Sequence, residues 1–156
     1  MQAPFDFQKL FELSPNPYML VDRELRYVTA NTAYLRVTAS RLEQLVGRTI
    51  FEAFPHDPDD PNNASSRMLR DSLFRVLTER RLDTLALIPY RVPRETASGV
   101  VVEERYWSAT HTPLLDGRGE VAFILQHTMD VTELHQLKQA VRDAEVSQDG
   151  GPRTQL

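Results

Sequence analysis

The sequence contains no cysteine, and this absence excludes several kinds of site at once. Disulfides, thiolate zinc sites, iron–sulfur clusters and cysteine nucleophiles all require a thiol, so none of them can form here. A chromophore held through a flavin–cysteinyl adduct or a thioester is excluded for the same reason. The missing cysteine does not identify the compartment in which the protein works.

The sequence also lacks a basic stripe and a long apolar run. Its 22 acidic and 18 basic residues are mixed along 156 positions, which gives a formal net charge of −4. Nucleic acid is therefore not an expected partner. The longest apolar run is Val121–Leu125, and the N-terminus has no basic and apolar leader pattern. We expect no membrane segment in this chain and a cytoplasmic location.

What is present fits one globular domain, since apolar residues make up 41% of the chain and charged residues 26%. Apolar spacing predicts an amphipathic helix within residues 1–14 and helices between residues 31–46 and 67–81, the last of them capped by Ser65 or Ser66. Alternating and β-branched segments predict five strands, at 18–22, 27–31, 84–92, 100–115 and 121–131. This order predicts an α+β fold, with an antiparallel sheet and short helices on one face.

The segment after Val131 predicts a helix with an apolar seam. Leu134, Leu137, Val141 and Ala144 follow one another at alternating spacings of three and four, which is typical of a coiled coil. We therefore divide the chain into an N-terminal helix, a central domain, a linker helix and a disordered tail, at residues 1–14, 15–132, 133–148 and 149–156.

Two segments resemble the PAS sensor domains, and the resemblance covers roughly residues 7–137. Residues 16–36, NPYMLVDRELRYVTANTAYLR, are similar to the first two PAS strands and the helix that Asn31 opens. Residues 105–134 resemble the last two strands, with a proline, an Asp-Gly turn and the closing Asp130-Val131-Thr132. Within the family, the Phe-Pro…Pro-Asp-Asp-Pro loop after Phe54 resembles input domains of bacterial sensor histidine kinases.

The resemblance implies a ligand pocket on the inner face of the last two strands. By likeness to PAS domains that bind flavin, six residues would face inward: Trp107, Ala109, His111, Ile124, Gln126 and Thr128. A small cavity with a few polar groups is what a ligand site requires. The alternative is a filled core in which His111, Gln126 and Thr128 satisfy one another. The cofactor stays open: a metabolite, a haem, a non-covalent flavin or no ligand.

The opposite face of the last strand would present Phe123, Leu125, His127 and Met129, which is too apolar to face water. We expect it to be covered by the N-terminal helix, through Phe7, Leu10 and Phe11, or by a second subunit. The resemblance thus implies a homodimer.

The Asp130-Val131-Thr132 joint connects the last strand to the predicted coiled coil. Asp130 can accept backbone N–H bonds where the strand ends, and Thr132 can cap the following helix. In related proteins this joint carries strain from the sheet to an effector. The resemblance therefore implies a sensory and dimerisation module that relays ligand or partner state to a C-terminal kinase or other effector domain.

Three further readings are weaker. A metal site is suggested by His56, Asp57, Asp59 and Asp60, but the alternating prolines favour an ordered loop, so no metal is expected. A haem bound through His56 is supported by no second feature of the sequence. His135 lacks the neighbours of a kinase phosphoacceptor and is predicted to be solvated. An enzyme on an α+β roll would need a carboxylate in the pocket, and the inward positions include none.

Overall fold

The computed structural model describes residues 4–54 and 64–149. Its described part contains one antiparallel five-stranded sheet in the order β2-β1-β5-β4-β3. The strands are β1 (Tyr18–Asp22), β2 (Tyr27–Ala30), β3 (Asp83–Thr96), β4 (Gly99–Leu115) and β5 (Val121–Asp130). The predicted α+β fold is confirmed, and the last strand in sequence lies at the centre of the sheet.

Six helices accompany the sheet in the described ranges: α1 (Phe7–Leu13), α2 (Thr32–Val37), α3 (Leu42–Leu45), α4 (Ile50–Ala53), α5 (Ala64–Glu79) and α6 (Thr132–Asp149). Helix α5 begins earlier than predicted, so Ser65 and Ser66 lie inside its first turn rather than at its cap. Ser65 instead donates to the carbonyl of Pro89 at 2.6 Å, which ties α5 to β3. Of the tail predicted at 149–156, Asp149 is the last residue of α6, and residues 150–156 lie outside the described residues.

Asn31 joins three elements near the start of the domain. Its side-chain oxygen accepts from the backbone N–H groups of Tyr34 and Tyr18, both at 3.0 Å, and its amide donates to the carbonyls of Phe11 and Asn16. Asn31 is completely buried. Because every polar atom has a partner, this buried amide caps α2 and also fixes α1 and β1 against it.

The core lies between the inner face of the sheet and helices α2 to α5. Its fully buried members come from strands and helices alike: Met19, Val21, Leu73, Val76 and Ile124. The apolar stripe of α5 supplies Leu73 and Val76, as the helical spacing predicts. A second cluster of Leu85, Ile88 and Ala109 continues the core between β3 and β4.

Strands β3 and β4 extend beyond the rest of the sheet. Pairing of β4 with β5 begins at Trp107, opposite Asp130, whereas β4 pairs with β3 from Gly99 onward. The two-stranded segment made by residues 91–96 and 99–104 is called the arm below. Val100, Val101 and Val102 of the arm are all exposed. Within the described residues, no helix is both long and apolar enough to cross a membrane.

Candidate functional site

A cavity of about 380 Å³ lies between the inner face of the sheet and the helices. Its lining is mostly apolar, with a few hydroxyl and amide groups. The residues described along it are Tyr34, Val37, Thr38, Ala39, Ser40, Ile50, Phe54, Ser65, Leu69, Ile88, Tyr90, Arg91, Trp107, Ala109, Gln126 and Thr128. Its size and composition lie within the range of small-molecule pockets.

The structure brings four of the six predicted pocket residues to this cavity. Trp107, Ala109, Gln126 and Thr128 line it, while His111 and Ile124 are fully buried beside it in the core. The inward register therefore places all six on the predicted side of the sheet. Their predicted role in ligand binding stays a prediction.

His111 has a hydrogen-bond partner on each ring nitrogen. Its Nδ1 lies 2.7 Å from Ser72 Oγ, and its Nε2 lies 2.9 Å from the Nε2 of Gln126. Ser72 Oγ also donates to Asp83, whose carboxylate accepts from Arg75 at 2.9 Å. A continuous chain of contacts thus runs from an exposed ion pair to the cavity.

The proposed mutual satisfaction of His111, Gln126 and Thr128 is only half right. His111 and Gln126 bond to each other, but the Thr128 hydroxyl donates to the carbonyl of Ser108 at 3.2 Å. Ser72 takes the remaining place beside the ring. The sequence contains a hint of this, since Ser72 lies four residues before Val76 and shares the buried face of α5.

The ionisation of this network follows from burial. Burial lowers the pKa of His111 to about 4, so the ring is neutral near pH 7. The hydrogen bond from Arg75 is the main cause that lowers the pKa of the Asp83 carboxyl, and the Ser72 hydroxyl adds to it. The charges of the network therefore lie on Arg75 and Asp83 near the surface, and the buried side chains Ser72, His111 and Gln126 are neutral.

Two buried tyrosines form a further polar contact beside the cavity. The hydroxyl oxygens of Tyr27 and Tyr34 lie 2.7 Å apart, and both side chains are at least nine-tenths buried. Burial is the largest cause that raises the pKa of each phenol. Tyr34 lies in the region predicted to be helical, between residues 31 and 46, but its position on the cavity wall was not predicted.

The outer face of β5 is only partly covered in the single chain. Phe123 and Met129 are 38% and 51% exposed, and Leu125 and His127 are half-buried. The ring of His127 lies 5.1 Å from that of Tyr18, and its Nε2 is buried without a partner in the described residues.

Helix α1 does not cover this face as the sequence suggested it could. Phe7 and Leu10 are 77% and 53% exposed, and only Phe11 approaches, by stacking on Tyr18 at 6.3 Å. The physical reason is the anchoring of α1: the Phe11 carbonyl accepts from the buried Asn31, which holds this end of the helix at the β1–α2 junction.

The joint between β5 and α6 is held by hydrogen bonds to β4. Asp130 accepts from the backbone N–H of Thr132 at 3.0 Å and pairs with Arg105 at 2.9 Å. The Thr132 hydroxyl accepts from the backbone N–H of Tyr106, and Val131 N–H donates to the Tyr106 carbonyl. Thr132 therefore does not cap α6 as predicted. The Asp130 carboxylate accepts the backbone N–H of Thr132, and the Thr132 hydroxyl holds the joint to β4.

His135 is not the solvated residue that the sequence suggested. It is half-buried, and its ring centroid lies 4.1 Å from that of Tyr106. The first turn of α6 is thus packed on β4. Leu134 in the same turn, and Leu137 and Val141 beyond it, are all more than half exposed. The candidate metal residues His56, Asp57, Asp59 and Asp60 lie outside the described residues.

This sheet order, with a cavity under the helices and a linker helix after the central strand, agrees with the family that the sequence matches. Residues 11–136 match the family model described as the PAS fold. The chain belongs to the PAS family. As a PAS domain it is a sensory module, and the resemblance noted in the sequence is confirmed.

Solved PAS structures resemble the chain over most of its length. The PAS domain of BvgS from Bordetella pertussis is 27% identical, with a TM-score of 0.57, and the match covers 90% of this chain and 96% of that one. A sensory box sensor histidine kinase from Vibrio cholerae has 18% identity and a TM-score of 0.52, over 81% and 88% of the two chains.

An RNA-binding light-oxygen-voltage receptor is similar in fold, with a TM-score of 0.65 and 17% identity. The match covers 90% of this chain but only 36% of the receptor, so this PAS domain spans about a third of that protein. Comparison of the sequence with curated proteins finds no match.

Proposed function

We propose that this PAS domain is the input module of a dimeric signalling protein, and that a small molecule in the cavity controls an effector joined after α6. The observation that carries the proposal is the position of the cavity. Gln126 and Thr128 line it from β5, and the same strand enters the Asp130 joint two residues later. A ligand that moves β5 would therefore act directly on the joint.

The joint is suited to pass a movement of β5 on to α6, because its own backbone is held tightly against β4. Three contacts hold it to β4, through Arg105 and the backbone of Tyr106, so α6 follows the edge of the sheet rather than swinging freely. A histidine kinase is the effector that we propose. The likeness to the Vibrio cholerae sensor kinase supports this choice at the level of the fold.

Dimerisation is proposed from two apolar surfaces that the single chain leaves open. One is the outer face of β5, and the other is the seam of Leu134, Leu137 and Val141 on α6. Exposed apolar residues at coiled-coil spacing gain little until a second helix covers them. A second copy of the chain offers both matching surfaces by symmetry.

We infer that the module itself catalyses no reaction. Within the described lining of the cavity there is no carboxylate, and both nitrogens of the nearest histidine, His111, are already hydrogen-bonded. A general base with a free, positioned nitrogen or oxygen is thus missing from this part of the site.

The decisive experiment is native mass spectrometry with an absorption spectrum on the purified protein. A stoichiometric extra mass in a dimer supports ligand-gated sensing, and flavin or haem bands would give the ligand its class. A dimer with a clean apo mass that no metabolite pool changes would contradict the ligand and leave a dimerisation role. A monomer at all concentrations would contradict the dimer.

A further inference from the structure

We infer that the buried wall of the cavity offers its ligand a hydrogen-bond donor, the Tyr34 hydroxyl, and an acceptor, Gln126 Oε1. The ligand would then be an uncharged small molecule with an apolar body that carries a carbonyl-type acceptor and an N–H or O–H donor. This inference rests on the proposed ligand-binding function and makes it more specific.

The assignment of Gln126 Oε1 as the acceptor begins at the surface ion pair of Asp83 and Arg75. Asp83 pairs with Arg75 and, as a carboxylate, can only accept, so the Ser72 hydroxyl must donate to it. Ser72 then has only a lone pair for His111, and His111 must carry its proton on Nδ1. The Asp83 carboxylate thus sets the tautomer of a fully buried ring.

The same reasoning continues to the cavity wall. With its proton on Nδ1, His111 presents a lone pair at Nε2, and Gln126 must offer its NH₂ group at 2.9 Å. The carbonyl end of the Gln126 amide then points away from His111. No hydrogen bond to this oxygen occurs within the described residues, and Gln126 lines the cavity. The site therefore presents an acceptor there.

The assignment of the Tyr34 hydroxyl as the donor follows from counting the hydroxyl protons of Tyr27 and Tyr34. Only one proton can lie between the Tyr27 and Tyr34 oxygens, so the other must find a second acceptor or stay unpaired. Tyr27 is enclosed in the core, whereas Tyr34 lines the cavity. Tyr27 therefore donates to Tyr34, because the reverse would leave an unpaired hydroxyl proton in the core.

The uncharged state of the ligand follows from burial. Tyr34 and Gln126 are 4% and 6% exposed, and the phenol and amide they offer carry no formal charge. The charged residue in the described lining, Arg91, is exposed. An ion placed against the two buried groups would lose its hydration without an opposite charge beside them.

Three bicyclic probes of nearly equal shape test the ligand class. Carbostyril has a carbonyl and an N–H, coumarin has the carbonyl without the N–H, and naphthalene has neither. Trp107 is the single tryptophan and lines the cavity, so its indole N–H resonance reports binding. Each successive loss of a polar group should weaken binding about 5-fold.

Naphthoate serves as the anionic comparison. Tighter binding of naphthalene or naphthoate than of carbostyril would overturn the inference, as would no shift of the indole signal by carbostyril at about 1 mM. Neither result touches the proposed sensory function, which the co-purifying ligand or metabolite screen decides separately.

Substitution separates the two hydroxyls. Tyr34→Phe should reduce the advantage of coumarin over naphthalene from about 5-fold to nearly none, whereas Tyr27→Phe should reduce it less. Tyr106→Phe removes a hydroxyl outside the cavity and is the matched control. If Tyr34→Phe folds poorly because the Tyr27 hydroxyl loses its partner, the Tyr27→Phe, Tyr34→Phe double variant removes that unpaired hydroxyl as well. An unchanged coumarin advantage in the double variant would overturn the donor.

The acceptor has a test that needs no ligand. Nitrogen NMR distinguishes histidine tautomers, and we expect His111, assigned by comparison with His111→Gln, to carry its proton on Nδ1. A proton on Nε2 would turn the Gln126 amide around and overturn the acceptor. Asp83→Asn should make the Nδ1 tautomer less dominant, because its amide NH₂ can donate to Ser72 and leave the Ser72 hydroxyl to donate to His111.

Discussion

At the scale of single residues, burial decides the charge state of His111 and thereby a pH dependence of stability. Its pKa falls from 6.5 in the unfolded chain to about 4 in the fold. The unfolded state therefore binds more protons between these values, and the free energy of unfolding decreases as the pH falls through this window.

We expect the free energy of unfolding to drop by roughly 3 kcal/mol between pH 6.5 and pH 4 on account of His111. Urea titrations at a series of pH values measure it. The variant His111→Gln cannot titrate, so its curve should be flatter by that amount across the same window. Parallel curves for the two proteins would show that His111 is not held neutral by the fold.

At the scale of elements, the joint after β5 depends on a buried hydroxyl. Thr132 is 7% exposed, and its oxygen accepts the Tyr106 N–H that no β5 carbonyl reaches. A buried N–H that loses its acceptor costs about 1–3 kcal/mol. The attachment of α6 to the sheet therefore rests on side-chain as well as backbone groups.

Thr132→Val keeps the shape of the side chain but removes this acceptor. We expect it to lower the free energy of unfolding by about 1–3 kcal/mol and to weaken the control that the domain exerts on the proposed effector. Thr132→Ser keeps the hydroxyl and should preserve most of both properties. A Thr132→Val protein that loses stability but keeps full regulation would argue against transmission through this joint.

The sequence predicted elements better than contacts. Strand positions follow from alternation and β-branching. Alternation places Trp107, Ala109 and His111 on one face, and the resemblance to flavin-binding PAS domains indicated that this face is the inner one. The Ser72–His111 contact was beyond reach, since it joins residues 39 apart that meet only when α5 packs on the sheet. The placement of α1 failed similarly, because it depends on one buried amide at Asn31.

At the scale of the whole molecule, the proposed dimer depends on the exposed apolar residues of α6. Leu137 is 59% exposed at the centre of the α6 seam. We expect Leu137→Glu to shift the protein toward monomer by at least about 10-fold in dissociation constant, since a charge would enter an apolar helix contact. Light scattering with size-exclusion chromatography measures the mass.

The control for this substitution is the neighbouring exposed position. Lys138→Glu changes charge on the same turn without touching the seam and should leave the mass nearly unchanged. Equal effects of both variants would point to net charge rather than to the seam. Removal of residues 1–14 separately tests whether α1 contributes to the dimer.

The arm of β3 and β4 has a consequence for solubility. From Arg105 toward Gly99, neither strand of the arm pairs with a third strand within the described residues, so this part of the sheet has two open edges there. Exposed valines with open strand edges are the pattern from which intermolecular sheets grow. Pro89 removes one donor from the β3 edge, and Arg94, Glu104 and Arg105 place charge along the ribbon. We expect these residues to limit aggregation where the described part of the sheet is only two strands wide.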